Sequence, residues 1–329
     1  MIAVREMRQT RTPNVVAMLN SQHEGNPGGH GMSTYREKSA YALEMGLVFV
    51  DLPVTVENVR EVRNGGTVGV KRWNGTRMEV LRIPAGDIRV AYNFTGPELN
   101  GTPEYKEMPS ALQDSGTKFI NGVDMRAVCM DKWRSQALFD ELGVRSPKTA
   151  EYTERNAKLL LEENGFIFIK DTTASEGNGQ ITVSAGSHGF AVKSDGSKLL
   201  FNDLGRVFEF VAQKISGPSI VQEGIRMQRI NGRVYDLRAL FQMNEMGVAV
   251  MPAVYVRIGV PGLDQSNVSK GGDVQDPQVF FPNFSAFNAE IEEIGRKIFY
   301  GLQRRTGEVG EIGMDFLISS SGPPSRNVS

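Results

Sequence analysis

An apolar run, Phe166-Ile167-Phe168-Ile169, delivers Lys170 directly into a polar loop that extends from Asp171 to Gly179. Loop amides with little side-chain cover can point at phosphate oxygens. Glycines such as Gly177 and Gly179 allow the close approach, and a lysine beside the loop supplies a point charge for the same anion. The lysine precedes the loop and Gly-x-x-x-x-Gly-Lys-Ser/Thr is absent, so this is no Walker A motif. The plainer alternative is a solvated hairpin loop with an incidental lysine. Lys132 directly follows Asp131, a good helix cap. A positive charge in a first helical turn opposes the helix dipole by roughly a few tenths of a kcal/mol. An anion nearby would explain it, as would a side chain that simply reaches water.

Two further stretches carry charge in strand-like surroundings. In Arg233-Val234-Tyr235-Asp236-Leu237-Arg238-Ala239-Leu240-Phe241, alternation places Tyr235, Leu237, Ala239 and Phe241 on one apolar face and Asp236 with Arg238 on the other. The second face is either a solvated ion-pair surface, worth little, or the charged floor of a cleft. Asp315 interrupts the apolar run Ile312 to Ile318, where an unpaired buried carboxylate would be costly. Oxygen ligands of this kind suit Mg²⁺ held jointly with phosphates, and an ordinary edge-strand aspartate is the alternative. His23-Glu24 through His30 does not read His-Glu-x-x-His, and Pro27 with its glycines prevents a helix from aligning ligands. That segment reads as the loop after a first strand.

The composition narrows the classes. In 329 residues, 37 Lys plus Arg against 38 Asp plus Glu leave a formal charge of −1. That balance lacks the electrostatic footprint of a general nucleic-acid binder. With one cysteine, Cys129, no intramolecular disulfide forms, and three histidines leave little for a zinc site. No signal-peptide core or membrane-length apolar run is present. A cytoplasmic protein of about two packed units is therefore expected, with neither membrane nor nucleic acid as partner. Asn93-Phe94-Thr95 and Asn267-Val268-Ser269 are accordingly not read as glycosylation sites.

The elements that must position these groups follow from periodicity and turn chemistry. Val15 to Leu19 reads as a buried strand, Thr34-x-x-Glu37 as a capping box opening a helix through Met45, and Leu47 to Leu52 as a second strand. Asn74-Gly75 marks a hairpin. Ile88 to Tyr92 and Lys118 to Asn121 are strands, and a turn region leads to Asp131. From Asp131 a helix runs with Trp133, Leu138 and Leu142 as apolar positions, closed by Gly143. Phe166 to Lys170, Ile181 to Val183 and Ser219 to Ile225 are strands. Hairpins turn at Asn231-Gly232 and near Asn244 to Gly247. Phe287, Ile291, Ile294, Ile298 and Leu302 recur at helical spacing, which predicts a helix from about Phe284 to Thr306 ending at Gly307. Ile312 to Ile318 is a last strand, and Ser319 to Ser325 reads as a loop or frayed tail. The order is α/β at the start and α+β afterwards.

The order of motifs is what identifies a family. Asp131-Lys132-Trp133 opens a helix, Lys170 precedes Ser175-Glu176-Gly177-Asn178-Gly179, and Val221-Gln222-Glu223-Gly224-Ile225 follows. Then come Asp236-Leu237-Arg238, Arg257, Ser266-Asn267-Val268-Ser269-Lys270-Gly271-Gly272, and Glu311-Ile312-Gly313-Met314-Asp315. This resembles the ATP-grasp superfamily, nearest to the RimK-like ligases and the YheC/YheD spore-coat-associated group. The resemblance to the latter reaches upstream into the Asn74-Gly75 hairpin and the Pro84 to Asn93 stretch. It implies an N-terminal α/β domain over residues 1–128 and a two-lobed ATP-grasp unit over 129–329. Within that unit a lid-like lobe would cover about 146–220 and a C-terminal lobe about 221–318, with a tail at 319–329.

The resemblance also implies roles. Lys132 and Lys170 would hold the phosphates of ATP, and the loop with Ser175, Gly177 and Gly179 would close over them. The backbone around Gln222 and Glu223 would receive the adenine. Arg238, with Asp236 beside it, would face the acyl phosphate or substrate. Arg257 and Asn267 would line the same cleft, and Asp315 would bind Mg²⁺. The implied reaction is ATP-dependent ligation of a small-molecule or peptide carboxylate to an amine through an acyl phosphate, which needs no protein nucleophile. One departure stands out. The family follows its aspartate with a Glu-x-Asn metal-ligand pair, whereas here no glutamate follows Glu311 and the corresponding stretch reads Arg326-Asn327-Val328-Ser329. That points alternatively to a catalytically weak ATP-grasp protein with a nucleotide-binding or structural role. A dehydrogenase built on the first strand–helix–strand unit is a third reading, but Gly25 to Gly31 lacks the dinucleotide-binding register.

Overall fold

The computed structural model describes residues 14–20, 31–93, 102–174, 179–194, 196–262, 266, 271–281, 284–319 and 327–328. The chain divides into two compact units, Met1–Val123 and Asp124–Ser329.

The first unit is built on one sheet. Its elements are β1 (Val15–Asn20), α1 (Gly31–Glu44), β2 (Val48–Pro53), α2 (Val56–Arg63), β3 (Thr67–Trp73), β4 (Met78–Pro84), β5 (Ile88–Asn93), α3 (Pro103–Asp114) and β6 (Lys118–Ile120). The strands lie in the order β4-β3-β2-β1-β5-β6. β1 pairs in parallel with both β2 and β5, and β5 in parallel with β6. A parallel strand covered on both faces needs continuous apolar sequence. Accordingly Val15, Ala17, Leu19, Val50 and Leu52 are all buried. The Asn74-Gly75 hairpin joins β3 to β4, with Gly75 at φ 98° and the Asn74 side chain accepting from the Thr76 and Arg77 amides.

Two expectations change here. The helix α1 begins at Gly31, so Thr34 lies inside it and does not cap it. The helices α2 and α3 are additions to the expected elements, and each has its cap. The hydroxyl oxygens of Thr55 and Thr102 accept from the amides of Asn58 and Tyr105.

The boundary falls at the first residue of α4 (Val123–Cys129), and α5 (Lys132–Glu141) follows in the second unit. The segment before Asp131 is therefore a helix and not a turn region; at seven residues, α4 is too short to show a period. Asp131 caps α5 as expected, accepting from the Trp133 and Arg134 amides. Trp133, however, is exposed, so it is no core position.

Next come β7 (Thr149–Glu151), α6 (Glu154–Asn164), β8 (Phe166–Asp171), β9 (Ile181–Gly186), β10 (Gly189–Ser194), β11 (Ser197–Phe201), α7 (Leu204–Lys214) and β12 (Ser219–Glu223). Their strands form an antiparallel sheet in the order β11-β10-β9-β8-β12-β7. The last part comprises β13 (Arg229–Ile230), β14 (Arg233–Met243), β15 (Ala249–Ile258), β16 (Asp273–Gln275), α8 (Pro277–Phe280), α9 (Phe284–Thr306), β17 (Glu311–Leu317) and β18 (Asn327–Val328). Its sheet runs β16-β15-β14-β17-β18, with β13 paired to β14. Of the stretch expected to be a loop or frayed tail, Ser319 alone is described, and residues 320–325 lie outside the described residues. Asn327 and Val328 return to pair antiparallel with Leu317 and Phe316.

The predicted faces hold. Tyr235, Leu237, Ala239 and Phe241 of β14 are buried with Met314, Phe316 and Ile318 against Ile291, Ile298 and Leu302 of α9. Gly295 lets α9 lie on this sheet, because a β-carbon there would stand 1.9 Å from Cζ of Phe241. Gly295→Ala is expected to cost about 1–3 kcal/mol in urea unfolding, the usual range for overpacking. Among the described residues no helix is long and apolar enough to cross a membrane.

Candidate nucleotide site

Lys170 is the next-to-last residue of β8, and the sheet register decides its surroundings. Ile220 of β12 lies opposite it, which places Gln222 on the same face one pleat along. The Lys170 ammonium donates to Oε1 of Gln222 at 2.7 Å and stands 5.1 Å from the centre of the Phe168 ring. Gln222 is itself buried, and its Nε2 donates to the Thr149 hydroxyl at 3.0 Å, which fixes which end of the amide faces the lysine. Burial, with a smaller contribution from Lys132, pushes the Lys170 pKa down to about 8. Its described partners are a neutral amide and an aromatic face, and no carboxylate among the described residues neutralises it.

Lys132 makes different contacts. Its backbone N–H donates to the Thr172 carbonyl at 2.8 Å. Its ammonium donates to the carbonyls of Asp171, at 2.9 Å, and Ala174. The first helical turn of α5 therefore clasps the start of the loop after β8. The loop's own first turn is closed by Asp171, whose Oδ1 accepts from the Thr173 amide and hydroxyl and from the Ala174 amide. Burial lowers the Lys132 pKa, and Asp171 and Asp131 offset part of the effect. For Asp171 burial acts upward, but the Thr173 and Ala174 hydrogen bonds prevail and lower it.

The chain leaves β12 through Glu223, Gly224 and Ile225. Glu223 and Lys148 exchange two hydrogen bonds. The Glu223 amide donates to the Lys148 carbonyl, and the Glu223 carboxylate accepts from the Lys148 amide. The Gly224 amide donates to the Phe166 carbonyl at 3.0 Å, and a β-carbon on Gly224 would enter the Phe166 ring at 2.1 Å. The amide of Ile225 has no hydrogen-bond partner among the described residues.

A second group gathers on β14, β15 and β17. Asp236 lies directly opposite Arg257, and Arg238 directly opposite Asp315. The Arg257 guanidinium donates to both Asp236 oxygens, at 2.8 and 2.5 Å, and pairs with Oδ2 of Asp315 at 2.9 Å. The Ser266 hydroxyl donates to Oδ2 of Asp236 at 2.6 Å. Arg238 donates through one terminal nitrogen to Oδ1 of Asp315 at 2.8 Å. Its Nε and other terminal nitrogen lie over Gly313, where a β-carbon would stand 2.7 Å from each. Burial raises the Asp236 pKa even though Arg257 and Ser266 pull it down. Burial alone would discharge Arg257, but Asp236 and Asp315 outweigh it and raise its pKa.

The expected site residues thus fall into two described clusters. Lys132, Lys170 and Gln222 stand together at the loop, with Glu223 leading away. Asp236, Arg238, Arg257 and Asp315 form the charged floor. Gly179 is described at φ 64° at the end of the loop. Ser175, Gly177 and Asn267, like His23 and His30, lie outside the described residues. Sequence reasoning missed the Gln222 side chain, Thr149 and Phe168 around Lys170, and Gly313 beneath Arg238. The Gly-Met-Asp spacing of Gly313 to Asp315 was the available signal for the last.

The floor does not fit a protein-held Mg²⁺. Mg²⁺ takes octahedral oxygen ligands, commonly one or two carboxylates beside substrate phosphates. Here each oxygen of Asp315 already accepts from a guanidinium, and both oxygens of Asp236 are engaged. Among the described residues no group of three His, Cys, Asp or Glu could hold a metal.

The fold has many solved counterparts. D-alanyl-alanine synthetase A from Vibrio cholerae is 14% identical, with a TM-score of 0.56 covering 97% of this chain and 89% of that one. VanG D-Ala:D-Ser ligase from Enterococcus faecalis is 12% identical, with a TM-score of 0.53 over 96% and 90%. N5-carboxyaminoimidazole synthetase from Staphylococcus aureus, complexed with ADP, is 8% identical, with a TM-score of 0.57 over 96% and 69%. These likenesses establish the architecture. Among curated proteins no match is found. Residues 126–324 match the YheC/D-like ATP-grasp family, a span that takes in both clusters, and the chain belongs to that family.

Proposed function

We propose that the second unit binds ATP and uses it to activate a carboxylate for attack by an amine. The observation that carries this is Lys170, a half-buried ammonium with its pKa lowered toward 8 and only neutral partners. A desolvated cation of this kind is stabilised by an arriving anion, and phosphate is a common anion for lysine. Gln222 keeps the ammonium aimed. Lys132 holds the turn at Asp171 to Ala174 and contributes its charge to the same anion. The Glu223 carbonyl and the Ile225 amide offer an acceptor and a donor two residues apart, as an adenine edge requires. Arg238 meets the transferring phosphoryl group with the two nitrogens that face Gly313. Arg257 acts through Asp236 and Asp315, holding the floor in place.

In the reaction, a carboxylate oxygen of the substrate attacks the γ-phosphorus and ADP departs. The amine then attacks the acyl carbon, phosphate departs, and the amine loses a proton. The chain supplies orientation and positive charge and forms no covalent intermediate. The substrates are a small-molecule or peptide carboxylate and an amine, and the setting is cytoplasmic. Mixtures of amino acids and short peptides provide both groups for a test. ADP release that requires both supports ligation.

A second reading is favoured by one observation, the engagement of both Asp315 oxygens by arginines. On it the chain binds nucleotide without ligating, and no substrate mixture elicits ADP.

Gly313 supplies a prediction of its own. A methyl group at 313 displaces the Arg238 guanidinium, and small misplacements of a positioning group cost on the order of tenfold or more. Gly313→Ala should therefore weaken ATP binding while the melting temperature barely moves. Equal ATP titrations for both proteins would remove Arg238 from the site.

A further inference from the structure

We infer that Arg238 stands where a protein-held divalent cation would otherwise serve, so that this chain binds its nucleotide without needing Mg²⁺. The inference rests on the nucleotide-binding reading and concerns what neutralises the phosphates.

Three observations carry it. First, the carboxylates of the floor are matched by guanidiniums one for one. Asp236 and Asp315 face Arg257 and Arg238, and every carboxylate oxygen accepts at least one hydrogen bond. A metal recruited to Asp315 must compete with Arg238 at one oxygen and with Arg257 at the other. Second, Arg257 cannot swing away, because it is buried and bidentate on Asp236, which lies directly across the strand. Third, Arg238 has the more exposed side chain of the two, at 35% against 10% for Arg257. Its Nε and one terminal nitrogen lie over the bare backbone of Gly313 with no partner among the described residues. A planar guanidinium with two such donors matches a phosphate edge bidentately. Asp315 then serves to orient the fork, and Glu311, the other carboxylate of β17 on this face, accepts from Gln242 at 2.6 Å.

The test is ATP affinity of the full chain, measured by calorimetry in excess Mg²⁺ and in EDTA. The two dissociation constants are expected to agree within about threefold, less than 1 kcal/mol. A loss beyond about thirtyfold in EDTA, roughly 2 kcal/mol, overturns the inference and leaves the nucleotide reading standing. Binding in neither condition overturns both. Arg238→Met should weaken binding in EDTA by at least about tenfold. Arg238→Lys, which keeps the charge but loses the fork, should fall between. Melting curves confirm that both variants fold. Unchanged affinity of Arg238→Met in EDTA also overturns the inference.

Discussion

Lys170→Met is expected to weaken ATP binding by about 10- to 100-fold and to raise the melting temperature of the nucleotide-free protein. The first effect follows from losing a charge-assisted hydrogen bond, worth about 1.5–3 kcal/mol, in a partly desolvated site. The second follows from the lowered pKa. The Lys170 proton is held with a pKa of about 8 in the folded chain against an ordinary value of 10.5. Below pH 8 both states are protonated, and folding bears the full cost of burying the charge. Between pH 8 and 10.5 the folded state loses its proton first, the unfolded state binds more, and stability rises with pH. Removing the ammonium relieves a burden on the order of 2 kcal/mol.

Nucleotide binding runs the other way. Phosphate raises the Lys170 pKa, so binding takes up a proton above pH 8, and affinity falls by up to about tenfold per pH unit there. Thermal melts and ATP titrations from neutral pH upward read both slopes, and Lys170→Met should flatten each. A variant that binds ATP like wild type would remove Lys170 from the site.

Arg257→Leu is expected to destabilise the protein by about 3–5 kcal/mol, because it leaves the buried Asp236 carboxylate without its countercharge. Arg238→Leu should cost under about 1 kcal/mol, as befits a more exposed pair. The two arginines of one cluster thus separate by readout: Arg257 by urea unfolding, Arg238 by nucleotide affinity. Asp236→Leu combined with Arg257→Leu should recover much of the loss, since a matched apolar pair is no worse than a buried ion pair. If Arg257→Leu and Arg238→Leu cost the same, the division between a holding and a receiving arginine fails.

The local half of this picture is readable in the sequence. Lys170 ends an apolar run before a glycine-bearing loop, Asp131 precedes a helix, and α9 shows its period from Phe287 to Leu302. The Asp236 and Arg238 face follows from simple alternation. Across-strand geometry is different. That Gln222 holds Lys170 depends on the β8–β12 register, and that Arg257 belongs to Asp236 depends on which residues of β14 and β15 meet. Alternation gives the face of a residue but not its neighbour. Asp236 therefore reads as a solvated or cleft-lining charge when it is buried. Helices α6 and α7 did carry local signals, since Thr153 and Asp203 cap them and Gly165 closes α6 at φ 77°. In α6 the apolar positions are few and flanked by charges; in α7, Leu204, Val207, Phe208 and Val211 recur at helical spacing, so that helix was legible in the sequence. The return of Asn327 and Val328 to β17 has no local signature in a Ser-, Gly- and Pro-rich segment.

Hydrogen exchange with and without ATP tests the central claim, that nucleotide binds the second unit through Lys170 and Arg238. Saturating ATP should slow exchange in peptides spanning Phe166–Ala174, Ser219–Gln228 and Arg233–Leu240. Protection confined to the first unit, or no protection anywhere at saturation, would contradict it.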